Sequence, residues 1–437
     1  MAQAQSSNQA PLQSNHDAQE AVRQRAIDLF IAGKKPSQIC WEVGRSRAWF
    51  YQTLERYRNG GRAGLASRSR APKRVSNRTA EAIEAAVVRV RQTILSGEEA
   101  DLRYASIGAN TIAAELKRAD IAPPSRRTIQ RILQRHQLVE PKAPAKASAS
   151  IPEDYPWPCI KQANELHLFD FVTRTITGGG RFYSCNLMDQ WRRWPVLRII
   201  TTKNGENVLA FLVGAWQEIG WPAALYLDND IVWRGSGSAP RTFSRIVRLG
   251  LALGIEPIFT PPYTPKANPL IESFNALWSA NFWSRRRFQS VIEVQQELPH
   301  FEHVARYRHP WPELGLRTAD QFAPNFVPVC LPNNFTQHRA KSLPLTSGYV
   351  HFIRFVDLTG SFSILNEPWQ LAAERWAGKT IRATLHLAQQ QLLVFHQAQR
   401  HAVPTQIAQF DYSLDEELFP LQDCYHRPRP AFWPTNS

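Results

Sequence analysis

The sequence predicts a multidomain protein: N-terminal all-α helix-turn-helix modules, a central α/β core and a small C-terminal β-barrel. Three observations predict it. Apolar residues recur at helical spacing through the first third, gather into strand-like runs separated by helices in the middle, and alternate around tight turns from residue 343. At 437 residues the chain has room for roughly two to four domains. The charge is also divided unevenly. Residues 1–150 hold 25 Lys and Arg against 13 Asp and Glu, whereas residues 151–437 hold 27 against 24. A basic third beside a near-neutral remainder points to nucleic acid as a partner, and the helix-turn-helix pattern below narrows that to double-stranded DNA.

Residues 1–16 are a Gln/Ser/Asn-rich tract, expected to be a disordered tail, with no basic-then-apolar signal pattern. Residues 17–58 read as three helices. Val22, Ala26, Leu29 and Phe30 form one stripe, which Gly33 stops. Pro36 and Ser37 open a short helix with Ile39 and Val43 inward; Gly44 turns the chain and Ser46 caps RAWFYQTLERYR. Short helix, glycine turn and longer helix make a helix-turn-helix. Its last helix would enter the major groove led by Arg45, Ser46, Arg47 and Trp49. Residues 59–78 contain Gly, Ser and Pro, six Lys or Arg and no acid, and read as a basic linker. Arg68, Arg70, Lys73 and Arg74 are its candidate phosphate contacts.

Residues 79–139 repeat the helical theme as a second helix-turn-helix. Ser125 caps its last helix, Ile129, Ile132 and Leu133 face inward, and Arg126, Arg127, Gln130 and Arg131 stay outside for DNA. Residues 140–158, rich in Pro, Ala and Ser, form a second linker. The core is expected over 159–325. ELHLFDFV, RFYSCNLMD and VLRIITT are three successive strands; AALYLD and IEPIFT are two more, separated by helices. In residues 343–400, alternation around Gly360 and around Gln389–Gln391 predicts two hairpins, hence the small barrel. Arg354, Arg375, Lys379 and Arg382 are candidate phosphate ligands there. Residues 401–437 are Pro-rich, an expected irregular tail.

The five cysteines are scattered without a CxxC spacing, so neither a disulfide framework nor a cysteine zinc site is indicated and a reducing, cytoplasmic setting fits. His300 and His303 have helical spacing but no cysteine pair nearby. The longest apolar stretch, near VLAFLVGAW, is too short to span a bilayer, so no membrane partner is expected.

The chemistry lies in three carboxylates placed where ionisation is costly. Asp170 interrupts LHLFDFV, Asp228 ends AALYLD, and Glu272 lies in the first turn of a helix that Asn268 and Pro269 open. Neither Asp has a Lys or Arg beside it in sequence. A divalent cation suits such hard oxygen donors, and a pair of ions can clamp both oxygens of an in-line phosphoryl displacement. Asp230 competes with Asp228 as second ligand; Asp228 is preferred because it follows the apolar strand directly. Asp189, ending CNLMD, is read as structural.

These residues carry a family resemblance. Residues 160–325 resemble the catalytic core of the DDE transposases and retroviral-type integrases, with its ribonuclease-H-like fold. LFDFVTRTI resembles the segment of the first acid, LDND the second motif, usually Asp-Asn-Gly, and PPYTPKANPLIESFN the third, usually Pro-Tyr-x-Pro leading to Asn-Gly-x-x-Glu. The double helix-turn-helix and terminal barrel resemble bacterial insertion-sequence transposases. Asp230 and Pro269 replace the family's glycines, and the 44-residue interval from Asp228 to Glu272 is longer than usual, with WRGSGSAPRTF as an extra loop. The resemblance implies metal-dependent DNA cleavage and strand transfer, that is, DNA integration and recombination. Asp170 and Asp228 would hold one Mg²⁺ or Mn²⁺ between them and Glu272 would complete the shell of a second. Tyr263 and Lys266 would touch DNA. The resemblance also implies a homo-oligomer on element ends and target DNA, in the cytoplasm with the nucleoid. The alternative is a catalytically inactive, domesticated DNA-binding protein or repressor.

Overall fold

A computed structural model describes residues 10–67, 79–139, 150–235, 238–400 and 402–434. The chain divides into two compact units, residues 1–78 and 79–437.

The first unit is helical. Helices α1 (Ala10–Ile31), α2 (Pro36–Glu42) and α3 (Arg47–Gly60) surround Ala26, Ile27, Ile39, Phe50 and Leu54. Gly33 and Gly44 turn the chain with φ of 84° and 61°, a region that favours residues without a Cβ. Pro36 opens α2, and Ser46 Oγ caps α3 by accepting from the Trp49 amide at 3.3 Å. Two expectations are corrected. Residues 10–16, assigned to the disordered tail, are helical backbone of α1; once a helix is nucleated, each added residue brings a hydrogen bond. The assigned linker begins as folded structure: a 3-10 turn, Gly61–Leu65, buries Leu65 in the core, and Arg23 Nε donates to its carbonyl at 2.7 Å. Arg68, Arg70, Lys73 and Arg74 lie outside the described residues.

The second unit starts with α4 (Glu81–Ser96), α5 (Ala109–Arg118) and α6 (Arg126–Arg135), packed around Val87, Ile112, Leu116, Ile129 and Ile132. This module is not separate from the α/β core. Leu102 and Tyr104 share an apolar cluster with core strands and helices, Tyr104 Oη donates to Glu297 at 2.7 Å, and Arg308 reaches Asp101 and Glu115.

The core opens with an antiparallel meander, β1 (Leu166–Ile176), β2 (Gly180–Asp189) and β3 (Trp194–Ile200). Helix α7 (Gly205–Ile219) leads to β4 (Ala224–Leu227), parallel to β1; α8 (Ile231–Arg234) and α9 (Arg245–Ala252) lead to β5 (Glu256–Phe259), parallel to β4. Helices α10 (Pro269–Asn281), α11 (Val291–Tyr307) and α12 (Ala319–Phe322) follow. Successive strand residues face opposite ways. Phe169, Leu187 and Val196 therefore pack with α7 and α9, while Leu168, Met188 and Leu197 pack with α10 and α11. The result is a sheet covered on both faces.

The C-terminal strands correct the barrel. They are β6 (Leu345–Thr346), β7 (Tyr349–Phe355), β8 (Ser361–Ile364), β9 (Glu367–Gln370), β10 (Thr380–His386), β11 (Gln391–His396), β12 (Thr405–Asp411) and β13 (Leu418–Phe419), with α13 (Ala373–Trp376) after β9. β7 pairs parallel with β5 through Ile258↔His351 and Phe259↔Phe352. β10, β11 and β12 then extend the same sheet, giving the order β12-β11-β10-β7-β5-β4-β1-β2-β3. Among the described residues these strands do not close on themselves. The edge of β5 offers unpaired backbone groups, and β7 covers it. The expected hairpin at Gly360 is also replaced: β8 pairs with β9, not with β7. β10 and β11 are antiparallel around Gln390, which has a φ of 49°. β12 lies within the segment expected to be irregular. Among the described residues no helix is long and apolar enough to cross a membrane.

Candidate active site

Three elements deliver acids to one place. Asp170 lies within β1, opposite Asn186 of β2. Asp228 is the first residue past β4, where the chain leaves the sheet. Glu272 sits in the first turn of α10, which Ile271, Phe274 and Trp278 anchor in the core. All three line a cavity of about 370 Å³, together with Asp230, Asn229, Thr260, Tyr263 and Asn268. Among the described residues that line it, none is Lys or Arg.

The electrostatics follow from that wall. Burial, then the charge of Glu272, push the Asp170 carboxyl up to about 7; the charge of Asp228 adds to this, against hydrogen bonds from the Phe171 amide and Asn275. Burial also raises Asp228 and Glu272. Asp230 differs: Lys203 pairs with its Oδ2, and its Oδ1 caps α8 by accepting from the Val232 amide at 3.1 Å. Its charge is thus already matched by a direct ion pair, whereas Asp228 takes its hydrogen bonds from neutral donors and feels Lys203 only as a weaker, more distant charge. Asp228 Oδ1 accepts from Trp233 Nε1 at 2.8 Å and from the Asp230 amide at 3.1 Å.

Neutral side chains hold the acids in place. Asn275, one turn beyond Glu272, donates from Nδ2 to Asp170 Oδ2 at 2.6 Å. Its Oδ1 accepts from Asn186 Nδ2 at 2.7 Å, and Asn186 Oδ1 accepts from Ser184 Oγ at 2.7 Å. This chain ties α10 to β1 and β2. Beyond the other acid, Arg354 of β7 donates to Asn229 Oδ1 at 2.9 Å, to the Thr260 carbonyl at 2.9 Å and to the Ser363 carbonyl at 2.8 Å. Sequence reasoning put Asn275 on the Glu272 side of its helix but gave it no role, and it missed Asn186. It offered Arg354 as a phosphate ligand; the residue is 6% exposed and committed to internal acceptors. Arg382 is likewise buried, donating to Thr384 Oγ1 at 2.8 Å.

The remaining candidates are scattered. Tyr263 is fully exposed at the cavity rim with a φ of 55°, and Lys266 is in the adjoining 3-10 turn Pro265–Ala267. Arg126, Arg127 and Arg131 are exposed on α6. In the first unit Arg45 and Arg47 are exposed, whereas Trp49 is half-buried against the core with Arg45 over its ring at 5.9 Å. Trp41, which the sequence reading did not select, is 88% exposed on α2. Asp189 is fully buried, accepting from the amides of Asn164, Trp191 and Arg192 and from Arg192 Nε.

The donor chemistry of the cavity suits Mg²⁺ or Mn²⁺: carboxylate oxygens, one strongly shifted acid and, among the described lining residues, no Lys or Arg. The spacing is looser than the chemistry. Among the described residues no three His, Cys, Asp or Glu side chains close around one point as a metal ion needs.

The shifted acid has a consequence for stability. The folded protein holds the Asp170 proton more tightly than the unfolded chain does, so ionised Asp170 weakens the fold. That penalty is absent below the ordinary carboxyl value, grows as pH rises toward 7 and is complete above it, at up to roughly 4 kcal/mol. Asp170→Asn mimics the neutral form. In chelator it is expected to raise the thermal midpoint at about pH 8, with the gain shrinking as pH is lowered to about 5. A gain independent of pH would contradict this account of the acid.

A winged helix-turn helix family model matches residues 23–85. Among solved structures, the chain is similar to a chain of the simian T-cell lymphotropic virus intasome determined by cryo-electron microscopy with PP2A regulatory subunit B56 gamma. The two are 14% identical, over 68% of this chain and 95% of that one, with a TM-score of 0.34. It is also similar to the HTLV-2 integrase catalytic core domain, determined in complex with magnesium in a dimeric form. That match is 9% identical, over 37% of this chain and 96% of that one, with a TM-score of 0.27. Both TM-scores are low, so the functional reading rests on the geometry of the site.

Proposed function

We propose that the chain is a DNA transposase of the integrase type, which grips element ends with its helical modules and cleaves and transfers DNA strands at the acid cavity. One observation carries the proposal: Asp170, Asp228 and Glu272, far apart in sequence, line one cavity whose described lining holds no Lys or Arg, nearby Lys203 being paired with Asp230. Three carboxylates placed in this way repel one another, as the shift of Asp170 records, and a divalent cation is the natural counter-charge.

Asp170 and Asp228 would hold one Mg²⁺ or Mn²⁺ and Glu272 a second. Bound there, the ions supply charge neutralisation for an in-line displacement at phosphorus. The chain's own residues do the rest. Asn275 and the Phe171 amide fix both oxygens of Asp170. Trp233 Nε1 holds Asp228 Oδ1. Pro269 at the first position of α10 fixes the helix start that presents Glu272. In the first step water attacks a phosphodiester, the bond from phosphorus to the 3′ oxygen breaks, and that oxygen leaves as a 3′-hydroxyl. In the second, this hydroxyl attacks a phosphodiester of the target and displaces a new 3′ oxygen. No protein nucleophile takes part. Arg45 and Arg47 on one helical module, Arg126, Arg127 and Arg131 on the other, and Tyr263 and Lys266 at the rim are the proposed DNA contacts. Joining two ends calls for a homo-oligomer on DNA.

The open spacing of the acids favours a second reading, a DNA-binding protein that has lost catalysis. A Mg²⁺-dependent strand-transfer assay, using DNA ends taken from the repeats that flank the gene, separates the two. The transposase cuts and joins; the repressor binds without cutting. A protein that cuts without joining would be a plain nuclease.

A further inference from the structure

Helix α10 has two working sides. Glu272 and Asn268 line the acid cavity, while Pro269, Ser273 and Leu277 line a second and larger cavity of about 540 Å³. Its other walls are the start of α5, Arg126 at the start of α6, Arg193 in the turn between β2 and β3, and the segment from His309 to Glu313.

Arg193 is the unusual member. Its Nε is buried without a hydrogen-bond partner, and among the described residues its guanidinium makes no ion pair. Glu313 in the same wall and nearby Asp189 only partly offset the cost of burying it. Desolvating an unpaired guanidinium is expensive. The backbone adds to the cost, since Arg193 has a φ of 59°, outside the range most side chains prefer. The turn is nevertheless firmly built: buried Asp189 accepts from two of its amides and from Arg192 Nε, and the Arg193 amide donates to the Asp189 carbonyl at 2.9 Å. A rigid, strained turn that presents a half-buried arginine with an unpartnered Nε to a cavity is suited to an acceptor. Other groups in the same wall lack partners too. His309 Nδ1 and Trp311 Nε1 are buried without a hydrogen bond, and the first turn of α5 has no capping side chain.

We infer that this groove is a seat for the DNA backbone, in which Arg193 and Arg126 clamp phosphates and lead one strand from the face of α6 across α10 to the acids. The inference rests on the proposed function and extends it to the side of α10 turned away from the acid cavity and to Arg193, which no motif contains. The planar guanidinium fork matches a phosphodiester, and two such forks lining one groove fit a continuous backbone better than a lone anion. Continuity favours DNA: Arg126 belongs to both the groove and the exposed basic face of α6, and Ser273 lies beside Glu272.

The test measures binding of the full chain to a duplex of arbitrary sequence across a series of KCl concentrations. Arg193→Gln and Arg126→Gln are each expected to make the slope of log K against log salt shallower by about 0.9, the loss of one phosphate contact, without lowering the thermal midpoint. Ser273→Glu should weaken binding and Ser273→Lys should tighten it. An unchanged slope in a folded Arg193→Gln protein would overturn the groove, as would Ser273 variants that both weaken binding. Metal-dependent cleavage by the unaltered chain is a separate readout. If it is present while the slope stays unchanged, the groove alone fails; if it is absent while the slope shifts, catalysis alone fails.

Discussion

Asp228→Asn is expected to reduce metal-dependent DNA cleavage by about 10³-fold or more while leaving DNA binding intact. The size follows from the several kcal/mol that charge stabilisation at such a centre supplies. Selectivity follows from the local geometry. Asparagine keeps an oxygen where Asp228 Oδ1 accepts from Trp233 and the Asp230 amide, so the turn beyond β4 stays formed. Only the charge is removed. Because burial disfavours ionised Asp228, the variant should melt no lower than the parent in chelator. Cleavage of labelled DNA with Mg²⁺, beside binding at matched salt, checks both halves. Undiminished cleavage would remove Asp228 from the site and return Asp230 to consideration.

The second large effect is expected at Arg354, far from the acids in sequence. Its guanidinium joins the Ser363 and Thr260 carbonyls to Asn229, the residue after Asp228. Arg354→Ala breaks this fork, leaving the Thr260 carbonyl with only its bond from Asn229 and a vacancy where a buried guanidinium stood, and a loss of about 2 kcal/mol in stability is expected from chemical denaturation. Cleavage should fall as well, because the loop carrying Asp228 loses its tether. Arg354→Lys separates the two effects: it restores a charge but not the fork, so it should recover part of the stability and little of the cleavage. Full activity in a folded Arg354→Lys protein would show that the tether does not position Asp228.

This dependence explains what the sequence could and could not reveal. β1 to β5 were legible because each is an apolar run of strand length bounded by Gly, Pro or polar turns. The acids were legible because Asp170 and Asp228 interrupt or end such runs. The edge to which β7 attaches was not: period-two alternation tells which residues share a face, not which strand lies alongside. Two hairpins therefore read as a barrel, when β7 in fact continues the sheet from β5. Docking of the second helical module was hidden for a similar reason, since Arg308 meets Asp101 across 207 residues. Asn275 was half visible, because helical spacing put it near Glu272 but could not show Asp170 opposite. Arg193 carried no signal at all. It looks like any turn arginine until the fold places it in a groove.

The central claim is that Asp170, Asp228 and Glu272 jointly hold divalent cations. Titration of Mn²⁺ into the full chain, followed by calorimetry, tests it without DNA or turnover. The account predicts saturable binding that Asp170→Asn, Asp228→Asn and Glu272→Gln each weaken by about tenfold or more, the loss of one charged ligand. Mn²⁺ affinity equal to the parent's in all three folded variants would contradict it.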